Sequence, residues 1–273
     1  MQFNREYELT ISYDNVTVVI KPPMRITFDG YKSADGGLNR LNLQIYNLRE
    51  DTRLKLVKDV EENRNIKLSL AVGYQGSLRG LYKGTVHKGT NERKGNDFIT
   101  SIESVDGGRD LFYGFVAKTI KGKQAALDGA LEGLETNKGA ITQASDLVRP
   151  KVMLGTATQV IESFLEDGQK WFINDGKLNV LDEKGDVIKG FIPVVSADTG
   201  LLSTPSREFS KITFNTLLNP SIPLGGKVQL VSTTAPHLNG EHKVFSINAK
   251  GDYDGNDWSM TCECFAGEYA TVS

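Results

Sequence analysis

The chain has 273 residues, 39% hydrophobic and 24% charged, with 32 Lys and Arg against 34 Asp and Glu. It is long enough for two modest domains or one large β domain with an insert, and apolar enough for a packed core. The near-balance of charge argues against a face built to grip nucleic acid, and the 28 Gly beside 8 Pro fit a fold with many tight turns.

The opening MQFNREYELTISY is polar and lacks the apolar core of a signal peptide. No run of about 18 apolar residues follows, so no membrane span is expected and a soluble product is. Within that opening Tyr7, Leu9, Ile11 and Tyr13 alternate with polar neighbours, the period of a half-buried strand. Leu41, Leu43 and Ile45 repeat the pattern, as do Leu68, Leu70 and Val72. Further strands are predicted around 24–29, 79–87 and 97–105, separated by turns such as Ala34-Asp35-Gly36-Gly37 and Asp106-Gly107-Gly108. One helix interrupts them, Arg49 to Glu61, with Leu54, Val57 and Val60 as its apolar stripe. Many short antiparallel strands with a single helix predict a barrel or sandwich over residues 1–118.

Composition shifts near residue 119 toward Ala, Gly and Lys. A short helix at Lys123–Leu134 or a flexible linker both fit, since Gly129 and Gly133 weaken a helix. Thr156 and Gln159 then form a capping box, and Ala157, Val160, Ile161, Phe164 and Leu165 line one helical face that ends at Asp167-Gly168. Trp171–Ile173 and Leu178–Leu181 flank Asn174-Asp175-Gly176, a strong hairpin signal. Residues 119–185 are therefore a linker plus a helix packed on a small sheet. The remainder, 186–273, returns to strands at Val187–Val195, Lys211–Leu217, Lys227–Ser232, Glu241–Asn248 and Asp257–Phe265, with GEYATVS expected to fray.

Reactive chemistry is sparse. Cys262 and Cys264 sit with Trp258 and Met260 on one face of a strand, their Cα atoms roughly 6.5–7 Å apart, at or beyond unstrained disulfide reach. They read as core thiols rather than a redox or metal pair. His87, His237 and His242 show no paired ligand spacing. The loop from Asp252 to Asp257 places oxygen-bearing residues like a calcium loop, with Glu263 at the twelfth position. Asp257 stands where that loop needs Gly, so a hairpin turn is the simpler reading. No G-x-S-x-G, H-E-x-x-H, Walker or G-x-G-x-x-G motif occurs. No catalytic, cofactor-binding or metal-binding residue is assigned, and no cofactor is expected.

The order of the motifs is more informative than any one of them. Tyr46-Asn47-Leu48 followed by Thr52-Arg53, then Val72-Gly73-Tyr74, Gly76 and Lys83-Gly84, resemble the opening of tail baseplate hub proteins of tailed phages, though Leu81 stands where an aromatic is common. Trp171, Ile173, Asp175-Gly176, Leu178 and Val180-Leu181 match that family's central hairpin. Thr199-Gly200-Leu201-Leu202 with Pro205, Leu217-Leu218-Asn219-Pro220 with Gly225 and Val228, Asn239-Gly240 with Val244, and Gly251-Asp252 with Trp258 close the series. The Gly-rich stretch 119–148 departs from the pattern.

The resemblance implies a mainly β, α+β chain: two tail-tube-like antiparallel barrel or sandwich domains, 1–118 and 186–273, flanking the small α/β element of 119–185. It implies a non-enzymatic virion protein of the tail baseplate, assembled in the host cytoplasm. Such hubs are homotrimers whose paired barrels make a pseudo-sixfold ring around the DNA ejection channel. The implied partners are the tail tube protein, the central spike or fibre protein and the tape measure protein, with no sequence-specific nucleic acid. The competing readings are the hub of a type VI secretion or other contractile injection device, a carbohydrate-binding β-sandwich, and a cell-wall hydrolase domain.

Overall fold

In a computed structural model the described residues are 4–13, 16–36, 38–62, 65–107, 114–120, 127–129, 131, 136–142, 151–183, 185–267 and 270–272. The first segment holds β1 (Arg5–Tyr13), β2 (Val16–Ile20), β3 (Ile26–Ser33), β4 (Arg40–Tyr46), α1 (Glu50–Glu61), β5 (Lys67–Tyr74), β6 (Ser77–Lys94) and β7 (Asp97–Val105). The middle holds β8 (Phe115–Ile120), β9 (Asn137–Ile141), β10 (Lys151–Thr156), α2 (Ala157–Glu162), β11 (Gln169–Asn174) and β12 (Lys177–Asp182). The last holds β13 (Asp186–Ile188), β14 (Val194–Val195), β15 (Ser206–Glu208), β16 (Lys211–Leu217), β17 (Lys227–Leu230), β18 (Gly240–Asp252), β19 (Trp258–Ala266) and β20 (Ala270–Val272).

Among the described residues one sheet of thirteen strands runs β15-β16-β19-β18-β3-β4-β7-β6-β5-β1-β2, with β17 and β14 branching from β18. The mainly β, antiparallel class expected from the alternation is what the chain adopts. The join is β18, whose one edge serves two partners. Residues 240–243 pair with β17, a bulge lies between Val244 and Ser246, and residues 246–252 pair with β3. That bulge turns the strand from one neighbour to the next. First and last segments thus share a sheet, and they share a core. Tyr7, Leu9, Leu43 and Val72 belong to the same buried cluster as Phe214, Val228, Met260 and Cys262.

Several local expectations need correction. β2 carries no clean alternation and was not predicted; it is the edge strand of a hairpin with β1. On α1, Leu56 is the buried anchor and Leu54 points to solvent. Arg53, Leu56, Val57 and Val60 follow the i, i+3, i+4, i+7 stripe, and Val57 and Val60 press on Gly89 of β6. α2 stops at Glu162, before Asp167-Gly168, because Ser163 Oγ bonds the Val160 carbonyl at 2.8 Å and Phe164 N tightens onto Ile161 O at 3.1 Å. Gly168, at φ +86°, serves the turn into β11 instead.

The strand expected over Val187–Val195 is split into β13 and β14 around Gly190 and Pro193, since Pro has no N–H to donate. The tail is not frayed at 270–272, which pair in parallel with β13. Of the helix proposed at Lys123–Leu134, residues 127–129 and 131 are helical and the rest lie outside the described residues.

The middle segment builds its own small core. α2, capped by Thr156 and Gln159 through the full capping box, lays Ala157, Val160, Ile161 and Phe164 on Trp171, Ile173, Leu178 and Val180 of the β11–β12 hairpin. The opposite face of that hairpin sends Phe172 and Leu181 into the main core.

Candidate functional site

Both cysteines and one of the three histidines are buried in the packing. Cys262 and Cys264 are fully buried free thiols, and burial alone pushes Cys262 up to about 12, far from a reactive thiolate. Buried His242 pairs its Nε2 with the Leu238 carbonyl at 2.8 Å. His87 lies 3.6 Å from Glu103, whose closer partner is Lys88 at 2.6 Å. His237 sits exposed in a 3-10 turn.

The acidic loop is occupied by guanidinium groups. Arg5 donates to the carbonyls of Asp252 (2.8 Å), Gly255 (2.5 Å) and Asn256 (3.2 Å). Arg25 donates from Nε and Nη2 to the two oxygens of the Asp252 carboxylate, at 3.1 and 2.7 Å, and holds that carboxyl below its ordinary range. The Asp252 carboxylate and three of the loop's carbonyls thus face arginines from β1 and the β3 approach, and Glu263 accepts from Ser246. Among the described residues no three His, Cys, Asp or Glu side chains converge as a metal set.

What remains as functional geometry is a joint and two surfaces. At the joint, Asp106, just past β7, accepts from the amides of Asp175 (2.5 Å) and Gly176 (2.9 Å) at the hairpin tip. Both tip residues have positive φ, +53° and +76°, as the tight turn Asp-Gly favours. Lys32 of β3 donates to Asn174 (3.0 Å), and buried Asn39 donates to the Ile173 carbonyl (2.6 Å) while accepting from Ser33 N (3.0 Å). At the other end of the hairpin, buried Lys243 of β18 donates to the carbonyls of Asp182 and Glu183, both at 2.8 Å. None of this joint was foreseen. Asp106 reads in sequence as an ordinary turn residue, and Lys243 as one polar position in a strand.

The first surface is apolar. β8 and β10 form an isolated two-stranded ribbon in which Phe115, Ala117 and Thr119 oppose Thr156, Leu154 and Val152. Opposed residues of an antiparallel pair share a face. Here that face is open, with Phe115 at 68% and Val152 and Leu154 each at 73% exposure, while Val116 points inward to α2. Phe191 and Phe209 are also exposed, the latter at 89% on a hairpin tip with φ +51°. The second surface is polar: β7, β4, β3 and β18 present Ser101, Glu103, Asn42, Gln44, Thr27, Asp29 and Lys250 on the face away from the core. Its charges are matched locally, Lys250 with Asp29 at 3.4 Å and Lys88 with Glu103.

Comparison with known proteins gives the family. The sequence profile of the family described as "Baseplate hub gp41" matches residues 7–254. The chain belongs to this baseplate hub family. Solved structures share the hub's fold at low identity. The 43 kDa tail protein of prophage MuSo2 from Shewanella oneidensis is 9% identical with a TM-score of 0.65, covering 94% of this chain and 96% of that one. The tail protein from Neisseria meningitidis MC58 is 10% identical with a TM-score of 0.59, covering 97% and 99%. An Escherichia coli type VI secretion component, described as structurally similar to the T4 tail proteins gp27 and gp5, is 9% identical with a TM-score of 0.63, covering 96% and 79%. No curated protein sequence matches.

Proposed function

We propose that this hub chain is a non-enzymatic homotrimer at the distal end of a phage tail, joining the tail tube to the central spike or fibre. In this reading residues 1–118 and 186–273 each fill one position of a pseudo-sixfold ring, and the linker and α/β element of 119–185 lies between them. The continuous sheet through β3 and β18 would hold the two positions of one chain in a fixed relation.

The observation that carries the reading is the family match over residues 7–254, on a chain whose two thiols and His242 are buried and whose Asp252 loop is bonded to Arg5 and Arg25. Two surfaces support it. The open apolar face of the β8–β10 ribbon, with Phe115, Val152 and Leu154, supplies contact area to neighbouring chains. The polar face of β7, β4, β3 and β18 serves as channel wall, since its paired charges offer a passing polyanion little to bind. The tail tube protein, the spike or fibre and the tape measure protein are the proposed partners, and assembly takes place in the host cytoplasm.

A second reading, the hub of a type VI secretion or other contractile injection device, is favoured by the fold likeness to the Escherichia coli component and to a chain of the Francisella PdpA-VgrG complex. The latter has a TM-score of 0.59 at 9% identity, covering 99% of this chain and 60% of that one. Purified particles decide between them: antibody to this chain should label the tail tips of DNA-filled virions. Labelling of DNA-free contractile particles alone would favour the injection device.

A further inference from the structure

The open face of the β8–β10 ribbon is patterned as well as exposed. Its residues form three cross-strand pairs, Phe115 with Thr156, Ala117 with Leu154 and Thr119 with Val152. Every pair sets one large apolar residue beside one small residue, and none of the six is charged. Phe115, Val152 and Leu154 stand well out in solvent, so they are three knobs, each with a hollow beside it at Thr156, Thr119 or Ala117.

A cover for this face must bring no charge, because a charge buried there would find no partner. It must also offer a hollow to each knob. The face itself meets both conditions. Turn a second copy about a twofold axis that runs along the strands, midway between two facing ribbons. Each residue then lies over the copy of its own cross-strand neighbour. Phe115 meets the second copy's Thr156, Leu154 meets its Ala117 and Val152 meets its Thr119, large on small in every row. The two faces would lie about 10 Å apart, as packed sheets do. A twofold axis across the strands fails, because it sets Leu154 on Leu154 and Ala117 on Ala117.

We propose that the free chain pairs with a second copy of itself through this face, ribbon on ribbon, about a twofold axis along β8 and β10. The contact is isologous and closes at two chains. It is also small. Two strands of six residues cover a patch of roughly 10 by 17 Å, far below the roughly 800 Å² per partner of a standard stable interface. The dimer is therefore weak, with a Kd between about 10 μM and 1 mM, and it gives up the face when assembly brings another neighbour. That exchange rests on the proposed hub function; the dimer of the free chain does not.

The test is sedimentation equilibrium of the full chain from about 1 μM to about 1 mM, a range that brackets this Kd. The mass should rise from one chain toward two and no further. Ala117→Leu sets knob on knob and Leu154→Ala sets hollow on hollow, so each should weaken dimerisation about tenfold or more. Together they exchange large and small within one pair, and the double variant should dimerise within about threefold of wild type. Both positions face solvent in the free chain, so the variants keep the fold, which an unchanged unfolding midpoint checks. A chain that stays monomeric throughout, or a double variant no better than the single ones, overturns the proposal. A free trimer overturns it too, while leaving the ring of the proposed function standing.

Discussion

The middle segment contains two antiparallel ribbons of six residue pairs each, β11–β12 and β8–β10, and they are treated in opposite ways. The first is covered on both faces, α2 on one side and the main core on the other, and is hydrogen-bonded at both ends. The second buries Val116 toward α2 and leaves Phe115, Val152 and Leu154 in solvent. A two-stranded ribbon is marginal in water by itself, so each must bury against something. The first finds its cover inside its own chain. The second leaves its Phe115 face open, the face that the proposed function gives to a neighbouring chain. On the proposed function, stability and assembly fall to different ribbons of one small element.

The largest effect expected from this contrast is at Trp171. Truncation to Ala removes the ring that α2 packs on and should cost about 3–5 kcal/mol, read as a fall in the unfolding midpoint. A smaller loss is expected at Gly225, which lies at φ +75° with the Phe172 ring 2.9 Å from where a Cβ would stand. Gly225→Ala should cost about 1–3 kcal/mol through strain and overpacking on the hairpin's inner face. A variant as stable as wild type would mean that this face is loosely packed.

The ribbon should behave differently. Val152→Ser with Leu154→Ser should change the stability of the free chain by only about 0.5 kcal/mol, yet abolish its incorporation into particles. A strong loss of stability in the isolated chain would show that this face is covered internally. Lys177→Ala, exposed beside the hairpin tip, should be the quietest, within about 0.5 kcal/mol and normal in assembly.

The same contrast explains what could be read from the sequence. The covered hairpin was legible because its signals are local: an Asp-Gly turn between apolar runs, preceded by a capping box. The ribbon was not. FVAKTI and KVMLGT have no clean period of two, and the strands that pair lie some thirty residues apart in sequence. The joint was hidden for another reason. Asp106 and Lys243 look like surface residues until the hairpin packs over them, so no composition or spacing marks a buried acid and a buried base in advance. The C-terminal strand β20 was missed because its partner β13 is only three residues long and pairs in parallel, which leaves little pattern to see. The main sheet, by contrast, followed from alternation at Tyr7–Tyr13, Leu41–Ile45 and Leu68–Val72, where every inward position is buried.

The central claim is a threefold hub in which each chain fills two ring positions. It is tested most directly by electron microscopy of native tails, counting copies of this chain in the terminal ring. Three copies are expected, with the 1–118 and 186–273 segments alternating around a central channel and the β8–β10 ribbon against a neighbouring chain. Six copies in equivalent environments would contradict it.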